Sequence, residues 1–494
     1  MRLRISARSS HLARLQAFQV GESLQKKFPN TQIEYFFRES LGDKNLTDPL
    51  WKMPEKGVFT EDFYQDLIEE KTDLVVHSWK DLPTERHPDT VICATLPRAD
   101  QRDLLLFKKN SIGKIAEKKS VNLFSSSQRR IYNLEKFLLT ALPFQPDKIN
   151  FKDVRGNIPT RIEKLMAADQ VDGLILAKAA LDRLLAIQHP DFKDLQKHLR
   201  SILSQLEFMV LPLCENPNAA AQGALAIEVK KSRTDLLDLI SQVNDESTFS
   251  SVQQERDILS SYGGGCHQKI GIAVLERFYG AIHFLKGKTD QNEILDTQKI
   301  IFKEGFKPPV LGAKKFNISS AKNVFERQEI QFEIPNSANA FYISRISAYR
   351  SVQGIIWTSG LETWKKLAAK NIWVNGCAES LGESENPRLE FLSEAPLKWV
   401  KLTHTGADSE VMPSIATYEL KMKLDLPTEA LQAENFFWMS PYQFDVITAK
   451  YPELIQRNHS CGVGQTFKGL QSRLARYGQK PYLFLNESQW RQHE

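Results

Sequence analysis

Three glycines run into a cysteine at Tyr262-Gly263-Gly264-Gly265-Cys266-His267, between Glu255-Arg256 and the apolar run Ile270 to Val274. Glycine tolerates positive φ and lets the backbone approach another group closely. The spacing therefore predicts a thiol on an uncrowded loop that reaches into a cleft and carries something. A turn with an incidental buried cysteine is the competing reading, because free cysteine packs as a small hydrophobe. A second stretch with chemistry is Asp73-Leu74-Val75-Val76-His77-Ser78-Trp79-Lys80-Asp81-Leu82-Pro83. A β-branched run that stops in polar residues and a proline predicts a buried strand whose carboxyl end lies in a cleft. Lys80 and Asp81 are expected on opposite sides of an extended backbone, one for an anion and the other for a different group. The alternative is a surface ion pair at a strand end.

Basic residues recur where strands hand over to helices. Arg2 to Arg8 reads as a strand ending in Ser6-Ala7-Arg8-Ser9-Ser10, before a helix from about Leu12. This places hydroxyls and backbone N–H groups at a positive dipole end, although a plain N-cap explains Ser10 equally. In the middle third, Val121 to Phe124 ends in Ser125-Ser126-Ser127-Gln128-Arg129-Arg130. Phe151 to Val154 ends in Arg155-Gly156-Asn157 before a helix holding Arg161, and Gly173 to Ala177 runs into Lys178. Guanidinium forks bind carboxylates bidentately. Arginines at equivalent strand ends thus predict a polyanion site at the carboxyl edge of an α/β sheet. A solvated charge pair at a helix start is the alternative for Arg129 and Arg130.

Other elements must hold these residues in place. The strand Gln32 to Phe37 and the helix Glu61 to Glu70 are separated by a polar stretch containing Asp43, Lys56 and Phe59. It is long for a connection and reads as a functional loop or lid. Asn218 to Ala224 is rich in small residues and suits a backbone crossing between domains. The length of 494 residues suggests about three domains. Five cysteines without a CxxC pair fit a reducing cytoplasm and neither a zinc site nor a disulfide framework. The net charge of +5 is small for this length, and no recognition helix or basic stripe points to nucleic acid. No apolar run approaches the ~18 residues of a membrane span. The acid-free first twenty residues resemble a transit peptide in composition. Leu3 and Ile5 nevertheless alternate as in a strand, and Leu12, Leu15 and Phe18 recur at helical spacing, so the segment reads as folded.

Over roughly residues 1 to 305 the chain resembles the hydroxymethylbilane synthase (porphobilinogen deaminase) family. The resemblance rests on HSWKDLP at 77–83, SSSQRR at 125–130, VRGNIPTR at 154–161, AQGALAIE at 221–228 and GGGC at 263–266, in the family's order. It implies that Cys266 holds a dipyrromethane cofactor through a thioether, with Lys80, Asp43, Ser127, Arg129 and Arg130 also binding that cofactor. Asp81 would be the catalytic carboxylate, contacting pyrrole nitrogens. Arg8, Ser10, Phe59, Lys56, Arg155 and Arg161 would bind substrate. The implied partners are porphobilinogen and a linear tetrapyrrole, and the implied protein is a cytoplasmic monomer needing no metal, nucleic acid or membrane. The implied fold is two periplasmic-binding-protein-like α/β lobes plus a small α+β cofactor domain. Residues 1–100 and 200–224 would make domain 1, 101–199 domain 2 and 225–305 domain 3. His11, Trp79 and His267-Gln268-Lys269 depart from the family pattern.

About 185 residues remain after Lys307-Pro308-Pro309. Two similar units, Gly354 to Gly360 and Asn435 to Pro441, each read as a strand running into a helix. Short strands with glycine turns follow at Ile372 to Gly376 and His459 to Thr466. The repeats predict a parallel, Rossmann-like α/β domain over 310–494 with two lobes as one arrangement. This region is similar to uroporphyrinogen-III synthase through WTSG, WMSP and GVGQT. That resemblance implies that Thr358, Ser359, Ser440 and Thr466 are donors to product carboxylates. A structural appendage is the alternative there. For the whole chain the competing class is a carboxylate-binding module, since two α/β lobes around an anion cleft also build solute-binding proteins. A cysteine hydrolase is disfavoured because His267 adjoins Cys266 and cannot easily serve its own neighbour as base.

Overall fold

The computed structural model describes residues 1–39, 61–85, 87–186, 189–264, 268–318, 324–409 and 411–493. The chain divides into two compact units. The first comprises Met1–Leu139, Pro146–Glu276 and His283–Thr297, and the second holds Thr140–Gln145, Arg277–Ile282 and Gln298–Glu494.

Two five-stranded sheets of the same design build the first unit. In one, β1 (Arg2–Arg8) lies parallel to β2 (Gln32–Arg38) and β3 (Leu74–Ser78). An antiparallel strand from far along the chain, β10 (Leu225–Lys230), sits between β3 and β4 (Thr90–Ala94). In the other, β6 (Ser120–Phe124) is parallel to β7 (Lys148–Lys152) and β8 (Gly173–Ala177). There β5 (Asp103–Lys108) is the antiparallel insert, between β8 and β9 (Leu206–Leu211). The expected pair of α/β lobes is present, with a correction to which strand belongs where. Residues 206–211, expected in the first lobe, pair in the second, and residues 225–230, expected in the third domain, pair in the first. Apolar runs such as LEFMVL mark a buried strand but carry no information on which sheet receives it.

The chain therefore crosses between lobes twice, and the crossings touch. Ala99 N donates to Gly223 O at 3.2 Å. Gly223 has φ +88°, and a Cβ there would stand 2.7 Å from Ala99 O. The small-residue segment is needed at this close approach. Helix α1 (His11–Lys27) packs on the first sheet through Ala17, Val20 and Leu24, against Leu3, Ile5, Val76 and Ile227. Further helices are α2 (Glu61–Ile68), α3 (Gln128–Ala141), α4 (Ile158–Ala167), α5 (Lys178–Ala186) and α6 (Glu246–Ser261). A three-stranded sheet follows α6, in the order β11 (Gly271–Arg277), β12 (Gly280–Lys288), β13 (Ile294–Phe302).

The second unit has two further sheets. Four parallel strands run Lys315–Asn317, Asn435–Trp438, Asn458–Gly462, Tyr482–Phe484. The other sheet has six strands, with Trp399–His404, Ala340–Ile343 and Ile355–Thr358 adjacent and parallel, and one antiparallel edge at Phe325–Glu329. The expected strand-turn-helix units are both present. Of the stretch Ile372 to Gly376, only Gly376 joins a strand, with Cys377. No helix among the described residues is long and apolar enough to cross a membrane.

Candidate active site

A cavity of about 470 Å³ opens where the strands of the two lobes end. β1 delivers Arg8 to it, and Ser10 begins α1 beside it, its Oγ accepting from Ala13 N at 3.4 Å. Ser10 is thus an N-cap whose residue also lines the cleft. β3 stops at Ser78 and the chain tightens into a 3-10 turn, Trp79–Asp81. Lys80 and Asp81 both line the cavity. The expected opposition of the two side chains does not hold, because successive residues of a 3-10 turn are ~120° apart rather than on opposite faces.

The turn is anchored from both sides. Trp79 is buried against Ala221, Ala224, Ala226, Val252 and Phe249, so the small residues after β9 make room for the indole. Arg256 on α6 donates to the carbonyls of Trp79 (3.4 Å), Leu82 (3.2 Å) and Pro83. Its neighbour Glu255 is wholly buried and takes Arg98 bidentately at 2.8 and 2.7 Å, together with the N–H groups of Ala221 and Val274. Glu255-Arg256 therefore couples the helix before the cysteine loop to the turn that presents Asp81. Lys80 is half-buried, with Nζ 3.4 Å from Gln222 Oε1. Burial pushes its pKa down, Asp81 and Asp103 pull it up, and Arg130 and Arg129 add to the lowering.

In the second lobe a fully buried carboxylate, Asp103, organises the cations. It accepts from Arg129 at 2.8 Å, Arg130 at 2.7 Å, Asn216 at 2.8 Å and Gln222 at 2.9 Å. Burial alone would raise its pKa, but the two guanidiniums and these hydrogen bonds hold it far below the usual carboxylate range. Arg129 is spent inside the protein, since it also donates to Asn216 Oδ1 (3.0 Å) and Pro217 O (2.7 Å). Arg130 reaches the cavity wall. Neither Arg129 nor Ser127 is among the described residues of that wall; Ser127 Oγ accepts from Arg130 N at 3.5 Å at the start of α3. Arg155 follows β7, and Arg161 on α4 donates from Nε to Gly156 O at 2.7 Å. Burial lowers the Arg161 pKa, and Arg130 and Arg155 lower it further. The Arg161 guanidinium thus feels two others in the same wall.

One cation in the wall went unnoticed in the sequence. Lys178 is fully buried and paired with Asp182 (2.6 Å) and Asp100 (3.5 Å). Arg183, five residues later on α5, lines the cavity with Ala179, Ala180 and Leu184, and donates to Gly223 O at 2.8 Å. Burial pushes its pKa down to about 10. The helical spacing of Ala179, Ala180, Arg183 and Leu184 was the available signal. Asp43, Lys56, Phe59 and Cys266 lie outside the described residues.

Residues 3–238 match the family model described as "Porphobilinogen deaminase, dipyromethane cofactor binding domain". The porphobilinogen deaminase of Syntrophomonas wolfei is 35% identical over 286 residues, covering 58% of this chain and 84% of the relative. This chain belongs to the porphobilinogen deaminase family. The probable porphobilinogen deaminase of Picrophilus torridus is 33% identical over 301 residues, covering 61% of this chain and 95% of the relative. That of Prochlorococcus marinus is 33% identical over 273 residues, covering 55% and 78%. The matched 3–238 span contains both lobes and every named wall residue. A dipyrromethane carrying carboxylates fits this wall, because guanidiniums that repel one another are stabilised by a polyanion between them.

Proposed function

We propose that the chain is a hydroxymethylbilane synthase, a transferase that condenses four porphobilinogens with loss of ammonia and releases a linear tetrapyrrole by hydrolysis. One observation carries this reading. Arg8, Lys80, Arg130, Arg155, Arg161 and Arg183 line one cavity in which the sole acid among the described wall residues is Asp81. Each porphobilinogen brings two carboxylates, and a chain that grows in place needs cations at several depths of one cleft.

The residues divide the work by charge. Arg130, held by Asp103, and Arg161, held by the Gly156 carbonyl, present guanidiniums already oriented, so little freedom is lost when a carboxylate arrives. Asp81 is exposed to the cavity and accepts hydrogen bonds only, so it takes pyrrole N–H groups. Loss of ammonia leaves a cationic pyrrole, and a carboxylate already in place stabilises that charge as it develops. A dipyrromethane joined through Cys266 would supply the primer whose free α-carbon is extended. Purified full-length protein given porphobilinogen should consume it and yield uroporphyrin after oxidation. No consumption by cofactor-loaded protein would overturn the reading.

For residues 310–494 we propose cyclisation of that tetrapyrrole to uroporphyrinogen III. What supports it is the meeting of strand ends from both sheets of the second unit. His404 donates from Nδ1 to Thr405 O at 2.8 Å, leaving Nε2 to accept from Ser440 Oγ at 3.5 Å. The Arg345 guanidinium, half-buried near Tyr418 and His404, makes no ion pair or hydrogen bond among the described residues. The four hydroxyls anticipated as ligand donors are less available. Thr358, Ser359 and Thr466 donate to the carbonyls of Gly360, Ser344 and Met439, and Ser440 to His404. Hydroxyls at strand ends satisfy nearby backbone carbonyls first.

A further inference from the structure

Beside the wall around Asp81 lies a pair of residues that the condensation chemistry leaves unused. Ala226 pairs with His77 and Glu228 with Val75 across β10 and β3, so the His77 and Glu228 side chains leave one face of the sheet. His77 Nε2 lies 2.9 Å from Glu228 Oε2, and the Thr90 hydroxyl donates to Oε1 at 2.5 Å. Burial pushes the Glu228 carboxyl up, but the His77 and Thr90 hydrogen bonds outweigh it and hold the pKa below the usual range. An ionised carboxylate only accepts, so the proton of this contact sits on Nε2. In the neutral ring Nδ1 is then a bare acceptor. Among the described residues nothing bonds Nδ1, and His77 lines a small pocket of about 70 Å³ together with Arg8, Ser78 and Asp81. That volume is large enough to admit water.

We propose that His77, oriented by Glu228, is the base for the water that ends the reaction. The inference rests on the synthase reading above. Asp81 is committed to pyrrole N–H groups, whereas His77, beside it in the smaller pocket, has an unbonded ring nitrogen to offer a water. The bond between the chain's terminal methylene and the primer breaks, its electron pair and a proton from solvent going to the primer carbon, and the water oxygen then bonds to the cationic methylene so left. One O–H bond breaks, its electron pair stays on oxygen, and the proton passes to His77 Nδ1. The imidazolium is balanced by the Glu228 carboxylate until the proton leaves to solvent. Glu228 acts as a positioning residue, because it sets the tautomer and does not touch the water.

The test is a competition between nucleophiles. Cofactor-loaded full-length protein turns over porphobilinogen with hydroxylamine present, and mass spectrometry gives the ratio of amine-trapped to water-derived tetrapyrrole. His77→Gln keeps a donor for Glu228 and removes the base, so the ratio should rise by about 10²-fold. Glu228→Gln offers His77 a donor, transfers the ring proton to Nδ1 and should shift the ratio the same way. An unchanged ratio in either folded variant overturns the assignment, as expected if the pair only ties β3 to β10. Ring ¹⁵N spectra of the unmodified holoenzyme give a readout independent of the variants: a neutral His77 carrying its proton on Nδ1 also overturns it. Absence of any covalent pyrrole adduct by intact mass in the unmodified protein would instead strike the synthase reading.

Discussion

Asp81 and Asp103 are both carboxylates among arginines, and their surroundings give them opposite tasks. Asp81 is exposed to the cavity and free to meet a ligand, so its removal should act on the chemical step. Asp81→Asn keeps the shape and loses the charge that steadies a cationic pyrrole. Steady-state kinetics should show kcat lower by about 10²–10⁴-fold with KM changed only a few-fold. Asp103 is closed to solvent and holds Arg129 and Arg130. Asp103→Asn leaves two buried guanidiniums without their counter-charge, a loss of about 3–5 kcal/mol in urea unfolding at neutral pH. The folded pKa of Asp103 is depressed. Its contribution is therefore complete above the unfolded value of about 3.9 and is lost as pH falls below it. Below about pH 4 the stability gap between wild type and Asp103→Asn should narrow; a gap constant down to pH 2 would count against the buried ion pair.

At the scale of elements, function depends on where strands stop and how tightly the chain turns there. The 3-10 turn after β3 swings Lys80 and Asp81 into one cavity, and Arg256 and Trp79 brace it from α6 and the crossing segment. The crossings themselves admit no side chain at Gly223. Gly223→Ala adds a methyl 2.7 Å from the Ala99 carbonyl at a φ of +88°, and should cost about 1–3 kcal/mol. Thermal unfolding monitored by circular dichroism reads this directly. A variant as stable as wild type would show that the two crossings separate without penalty. Helix starts play a smaller part. Asn157 caps α4 by accepting from Thr160 N at 3.0 Å, which fixes the turn carrying Arg155 and Arg161.

For the molecule as a whole, the decisive product is the porphyrin isomer. A chain that both builds and closes the tetrapyrrole should yield type III uroporphyrin after oxidation, whereas synthesis without enzymatic closure yields type I. Type I alone from full-length protein would sink the cyclisation reading for 310–494 and leave the first unit's reading intact. The sequence by itself determined much of this protein. Strands at Arg2 to Arg8, Leu74 to Ser78 and Gly173 to Ala177, the small-residue crossing and the strand-turn-helix units of the C-terminal region were legible, because hydrophobic period and turn chemistry are local. So were Arg8, Lys80, Asp81, Arg130, Arg155 and Arg161 as wall residues, since each follows a strand or opens a helix. Only the tertiary structure decided which charges face the cleft. Arg129 and Arg130 are neighbours in sequence, yet one is consumed by Asp103, Asn216 and Pro217 while the other reaches the cavity. Lys178 is buried and Arg183 is in the wall. Strand exchange between the lobes was equally hidden. Pairing partners and counter-ions come from residues tens to hundreds of positions away, and burial rewards whichever distant group satisfies a charge, a choice that no local pattern encodes.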